Sequence, residues 1–284
     1  MFLPRFFTQL TICLAIGLVS PSISTAHGNE QVEKQIVSNF SEFQTIQTPR
    51  FTLHYQDYRE SEERHKRAGD IATQALGMLN RIDSELTRIL DYRPTHPVVL
   101  RFLSKEDFRR QTGAPNWTNA MFFRGEITIP VEESIGLDQN ELYRALRHEY
   151  VHALVADFSG YRCPAWLDEG LAQVIEGDPN PLLGPALRKW VRSNDAMPLS
   201  WLENGFTTLN DSMVPAAYAQ SLFATRSLIN RKGFKSIKQY LQELRRGKNT
   251  EVAFLRAFGF PQSDFEEELT PQIARWANSG QAQP

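Results

Sequence analysis

The stretch His148-Glu149-Tyr150-Val151-His152 constrains this chain more than any other. On an α-helix, residues four apart lie on one face, so both imidazoles can reach a single cation. Glu149 lies about 100° round the helix from His148. That puts it beside such a cation without binding it, where a general base for an attacking water belongs. Leu142, Leu146, Val151, Leu154 and Val155 supply the apolar positions of a buried helix. A histidine pair on an apolar face wants a ligand. The pentad alone still admits a plain helix with two partly exposed histidines.

A catalytic zinc takes three protein ligands and keeps one position open. The remaining histidines, His27, His54, His65 and His96, all precede the pentad. Downstream stands Trp166-Leu167-Asp168-Glu169-Gly170-Leu171-Ala172. Here a glutamate heads a second helical stretch, with Gly170 and Ala172 small enough for close helix approach. A reversal near Phe158-Ser159-Gly160 can bring Glu169 back against the pair.

Together, H-E-x-x-H and W-L-D-E-G-L-A resemble the gluzincin zinc peptidases, in particular their peptidase MA-like group. The resemblance covers roughly residues 50 to 277 and is strong at 148–172. It implies zinc, one ion per chain, held by His148, His152 and Glu169, with Glu149 as base. It implies a peptide or protein substrate. Tyr218-Ala219-Gln220-Ser221 looks like the family's tyrosine segment, which implies that Tyr218 donates to the oxyanion; Tyr218 also reads as a core aromatic beside Leu222 and Ile229. Glu126, Ile127, Thr128 and Ile129 look like the edge strand that pairs with substrate backbone. Two family features are missing: no histidine follows His152, and no G-x-M-E-N sequence holds a substrate amine. The first leaves Tyr218 as the natural donor. The second argues against an exopeptidase.

Gln173 lies four residues after Glu169 and reads either as a side chain orienting a ligand histidine or as an ordinary helical polar residue. Cys163 reads as a small buried hydrophobe. Two other functions remain open: a zinc-holding scaffold without peptidase activity, and a zinc hydrolase of a non-peptide bond. An intact Glu149 argues against the scaffold, since a structural site needs no base and is closed by four protein ligands.

The order of patterns predicts an α+β fold. A small N-terminal mixed sheet lies over the active-site helix, and a helical C-terminal part follows; the resemblance makes this arrangement zincin-like. Strand-like runs fall within 51–130 and helical ones within 139–277, with 27–50 as a polar lead-in and 278–284 as a disordered tail. Helices are predicted over 61–91, 140–157, 164–176, 182–192, 216–231, 234–247, 250–257 and 262–277.

Residues 1–26 combine an early Arg5, a short apolar run over 10–19 and Ser24-Thr25-Ala26, the pattern of a cleavable signal peptide. The run is too short to span a bilayer. Export to the periplasm or outside follows, with no stable membrane span after cleavage. Cys13 leaves with the leader, so Cys163 would be the one remaining thiol and no internal disulfide could form. A formal net charge of -2 without a basic stripe excludes a polyanion such as nucleic acid as partner. Nothing in the pattern defines an oligomeric state.

Overall fold

The structure is a computed structural model that describes residues 43–56, 62–114, 118, 120–131, 139–177, 180–206, 209–279 and 281. The signal-peptide reading falls outside these residues, as do most of the lead-in and part of the tail.

The N-terminal half is a five-stranded mixed sheet. Strands β1 (Phe43–Gln47), β2 (Phe51–Gln56), β3 (Val98–Leu103), β4 (Met121–Phe123) and β5 (Glu126–Pro130) lie in the order β1-β2-β3-β5-β4. The central pairs β2–β3 and β3–β5 are parallel, and the outer pairs are antiparallel. Helix α1 (Glu62–Leu90) makes the crossover from β2 to its parallel neighbour β3. Its Ala72, Ala75, Leu79, Ile82 and Leu86 recur at helical spacing and are fully buried. Phe51, Leu53, Leu100, Phe102, Ile127 and Ile129 alternate along their strands and join α1 in the same core. The opposite sheet face carries a smaller cluster of Leu103, Phe108, Ala114 and Met121, closed by helix α2 (Lys105–Thr112). Ser104 caps α2 by accepting from Asp107 N–H.

Phe43–Gln47 lies inside the stretch expected to be lead-in, yet it is a strand paired with β2 along its length. Its exposed polar positions conceal a strand that lies at one end of the sheet among the described residues.

Helix α3 (Gln139–Ser159) carries the pentad and is buried almost all round from Leu142 to Val155. It is followed by α4 (Ala165–Glu176), α5 (Leu183–Val191), a 3₁₀ turn (Leu199–Leu202), α6 (Val214–Arg245), α7 (Thr250–Phe258) and α8 (Gln262–Asn278). Gly233 breaks α6 with φ 74° and ψ 170°, a conformation open to glycine, so the helix is two segments as the sequence predicts. The expected α+β arrangement is therefore present: a small mixed sheet, then helices.

Helix α4 packs tightly against α6. A Cβ on Gly170 would come 1.9 Å from Thr225 Oγ1 and 2.5 Å from the Ser221 carbonyl. Only a residue without a side chain allows this approach, which sets how α4 presents the adjacent Glu169.

Polar ties join α3 to the N-terminal half. Tyr150 Oη donates to Asp83 Oδ1 at 2.6 Å, and Arg50 donates to both Asp83 oxygens at 2.6 and 3.2 Å. Arg147 clamps Glu85 on α1 with two further bonds. Burial by itself pushes the Asp83 carboxyl up, but the bonds from Arg50 and Tyr150 outweigh it and hold Asp83 below its ordinary value. A depressed folded pKa contributes stability above the unfolded value of about 3.9, lost as pH falls through the folded one. Asp83→Asn is expected to cost about 1–3 kcal/mol at pH 7. It should also flatten the acid limb of the stability curve. Urea midpoints of both proteins between pH 3 and 7 check this; parallel curves would refute it.

Candidate metal centre

His148 and His152 project from one face of α3 with ring centroids 4.9 Å apart. Glu169, in the first turns of α4, reaches back between them. Its Oε2 lies 3.7 Å from His148 Nε2 and its Oε1 lies 3.8 Å from His152 Nε2. The three donor atoms all fall within 4.8 Å of one another. Two ligands about 2.1 Å from a tetrahedral zinc are roughly 3.4 Å apart. The spacing is close to that value.

The cluster is closed to solvent: His148 and His152 are 3% exposed and Glu169 is 0% exposed. His152 Nε2 and both Glu169 oxygens make no hydrogen bond among the described residues. Buried lone pairs aimed at one another without a shared proton or cation are costly. A metal ion satisfies them together, so the residues present fit one. Two nitrogens and one carboxylate oxygen suit zinc and leave a coordination position open.

Charge balance supports the fit. Burial raises the Glu169 pKa, and the pull of His152 and His148 does not fully reverse this. Burial lowers the pKa of His152, but Asp168 and Glu169 outweigh it and raise it to about 9. Both shifts favour a positive charge held among these side chains, the charge a bound metal would supply.

Each histidine has its own carboxylate on the far side of the ring. His148 Nδ1 is 3.0 Å from Glu176 Oε2, and His152 Nδ1 is 3.0 Å from Asp168 Oδ2. Such partners set ring orientation and leave Nε2 for the metal. Glu176 is itself clamped by Arg144, which donates from Nη2 at 2.8 Å and Nε at 3.1 Å. Burial pushes the Glu176 carboxyl up, but the bonds from His148 and Arg144 hold it low. Glu176→Gln is expected to weaken zinc binding about 10- to 100-fold. Competitive titration against a chromophoric chelator measures this; unchanged affinity would remove Glu176 from the centre.

The reading of Gln173 as the residue orienting a ligand histidine is corrected. Its Nε2 donates to the Tyr218 carbonyl at 3.2 Å, tying α4 to α6. Glu176, two helical turns from Glu169, does the orienting. The seven-residue step in the sequence was the available signal, since it returns to the same helix face.

Glu149 is fully buried, and its Oε2 accepts from Phe122 N–H at 2.6 Å. This bond comes from β4, which lies at the sheet's edge. The expectation that Glu126, Ile127, Thr128 and Ile129 form the edge strand is therefore corrected: they lie in β5, hydrogen-bonded to β3 on one side and β4 on the other. The cause is a tight reversal at Arg124-Gly125, with φ 52° and 86°, that folds 121–123 back along the outside. Among the described residues, the edge strand nearest the centre is Met121–Phe123, with its Phe122 N–H bonded to Glu149.

Tyr218 is buried in α6, with its ring edge-on to Phe206 at 4.7 Å. Through Gln173 its backbone is tied one turn along from Glu169. Cys163 is half-buried in the loop between α3 and α4.

A buried two-histidine, one-glutamate cluster with a second glutamate held alongside has the ligand set of a gluzincin metal site and could hold one ion. The sequence profile of the Peptidase MA superfamily matches residues 112–274, more than half of the chain, and the chain belongs to that superfamily. Among solved structures it is similar to a two-domain M1 zinc metallopeptidase, an E323A mutant bound to L-arginine. The identity is 16% and the TM-score 0.39, over 85% of this chain and 52% of the other. The chain thus spans about half the length of that structure. No curated protein sequence matches.

Proposed function

We propose that this protein is a zinc-dependent peptidase that cleaves peptide bonds by direct attack of water. The observation that carries the proposal is the buried His148–His152–Glu169 cluster with Glu149 beside it and Phe122 N–H bonded to Glu149. Zinc at His148, His152 and Glu169 would supply Lewis acidity to water and to the scissile carbonyl. Glu149 takes the proton of the attacking water on its carboxylate and returns it to the leaving amine. Glu176 and Asp168 keep the two imidazoles aimed. Tyr218 donates its hydroxyl to the oxyanion. Substrate lies extended beside β4, the strand next to the centre, whose Phe122 N–H is taken by Glu149.

The test is metal content with cleavage of an unfolded protein. About one zinc per chain and chelator-sensitive hydrolysis are expected. A chain that holds no zinc, or holds it and cuts nothing across a broad peptide library, refutes the proposal. The second outcome favours a zinc-holding scaffold or a hydrolase of another bond. The three-donor count among the described residues speaks for an open site rather than a closed structural one.

Tyr218→Phe is expected to lower kcat about 100-fold with KM and zinc content nearly unchanged. An unaltered kcat would assign Tyr218 to the core alone. None of the described helices is long and apolar enough to cross a membrane. We place the protein in the periplasm or outside the cell from its leader; an exported form beginning at His27 is the expected product.

A further inference from the structure

Tyr161 is a bulky residue with φ 60°, in the left-handed region that such side chains avoid. It follows Gly160, also left-handed, in the short loop that joins the two helices of the metal centre. That loop is tied down. Tyr161 N–H donates to the Ala156 carbonyl at 2.7 Å, and Ser159 Oγ accepts from the N–H groups of Arg162 and Cys163, each at 3.2 Å. Yet the Tyr161 side chain is 53% exposed, so core packing does not explain why the backbone holds this conformation. A strained residue kept in place by its surroundings points to a role for its side chain.

The Tyr161 hydroxyl comes close to the turn of the β4–β5 hairpin. Tyr161 Oη lies 3.3 Å from where a Cβ on Gly125 would stand. Gly125 is three residues from Phe122, whose N–H holds Glu149. The hairpin is short, and β4 has three residues with one partner strand among the described residues. Such an edge is prone to local opening unless its turn is held. Arg101 on β3 holds Glu126, just after the turn, at 2.8 and 3.0 Å, and Tyr161, carried on the link between α3 and α4, approaches the turn itself at Gly125.

We propose that Tyr161 is a positioning residue: its side chain, through the hydroxyl, braces the turn at Gly125, and the braced hairpin holds Phe122 N–H against Glu149. This rests on Glu149 being the base of the reading above. The base works in the transition state, so a loosened brace should appear in kcat rather than KM.

The experiment compares the full-length wild type with Tyr161→Asn and Tyr161→Phe. Asparagine tolerates the left-handed conformation, so Tyr161→Asn removes the ring without adding backbone strain. Three quantities are measured: zinc affinity, amide exchange over 121–126, and kcat and KM on a cleaved peptide. For Tyr161→Asn we expect exchange about 10-fold faster at Phe122, kcat about 5- to 20-fold lower, and KM and zinc affinity within about twofold. Tyr161→Phe removes only the hydroxyl that approaches Gly125 and should show both losses in part. Exchange and kcat equal to wild type in Tyr161→Asn overturn the proposal, as does faster exchange with unchanged kcat. The exchange comparison needs no substrate. An inactive wild type would refute the peptidase reading, while equal exchange rates would refute the brace.

Discussion

Glu149→Gln is expected to bind zinc as the wild type does and to hydrolyse peptides about 10²- to 10⁴-fold more slowly, the range that general-base catalysis contributes. Glutamine is nearly isosteric with glutamate, and its carbonyl oxygen can still accept the Phe122 N–H that now bonds Glu149 Oε2 at 2.6 Å. The fold and the edge hairpin should therefore persist. The change removes only the capacity to take a proton from water. His148, His152 and Glu169 are untouched, so the metal should stay. The measurement is kcat with zinc content determined on the same preparation. A variant that keeps its zinc and its full rate would remove Glu149 from the chemistry and with it the proposed mechanism.

Gly170→Ala should have the largest structural effect of any single change near the centre. Its methyl group would overlap Thr225 Oγ1 at 1.9 Å and the Ser221 carbonyl at 2.5 Å. The hydroxyl belongs to a buried side chain and the carbonyl to helix backbone, so neither moves freely. A loss of about 3 kcal/mol or more is expected, at the upper end of overpacking costs. Relief requires α4 to shift or rotate, and Glu169 moves with it. Zinc affinity should therefore fall together with stability, although Gly170 is no ligand. Adding Thr225→Ala removes the hydroxyl but not the carbonyl, so the double variant should recover only part of the loss. Urea denaturation and zinc titration on the single and double variants check both statements. A Gly170→Ala protein of wild-type stability would mean that the helices can separate at no cost.

The residues that sequence exposes well are those whose relation is set by one helix. The four-residue step of His148 and His152 puts them on one face of α3 wherever α3 packs. The helix bounds read from periodicity fall within about two residues of those observed, as such boundaries usually do. Glu169 became legible through its sequence context and the resemblance that context carries.

What sequence hid depends on how elements meet. Gln173 and Glu176 are both polar residues on α4, separated by less than a turn. One faces α6 and the other α3, and only the packing of α4 between those helices decides which orients His148. The sequence suggests two strand pieces, Met121–Phe123 and Glu126–Ile129, across a turn at Arg124-Gly125, but not which of them lies at the edge. The stronger pattern at Glu126–Ile129 attracted the edge assignment that belongs to its neighbour. Phe43–Gln47 resembled a linker because an edge strand with mostly exposed side chains carries little apolar signal.

Apart from Tyr218 in α6, the groups given a chemical role, from Phe122 to Glu176, fall within one stretch of sequence that includes β4, β5, α3 and α4. Bringing His152 and Glu169 together closes one short loop, whose entropic cost is small beside that of joining distant segments. The sheet and α6 supply the walls, but the metal's grip needs little of the chain's length to be in order. A metal ion bound there would act as a local cross-link in that stretch, resisting its opening even where the outer elements fray.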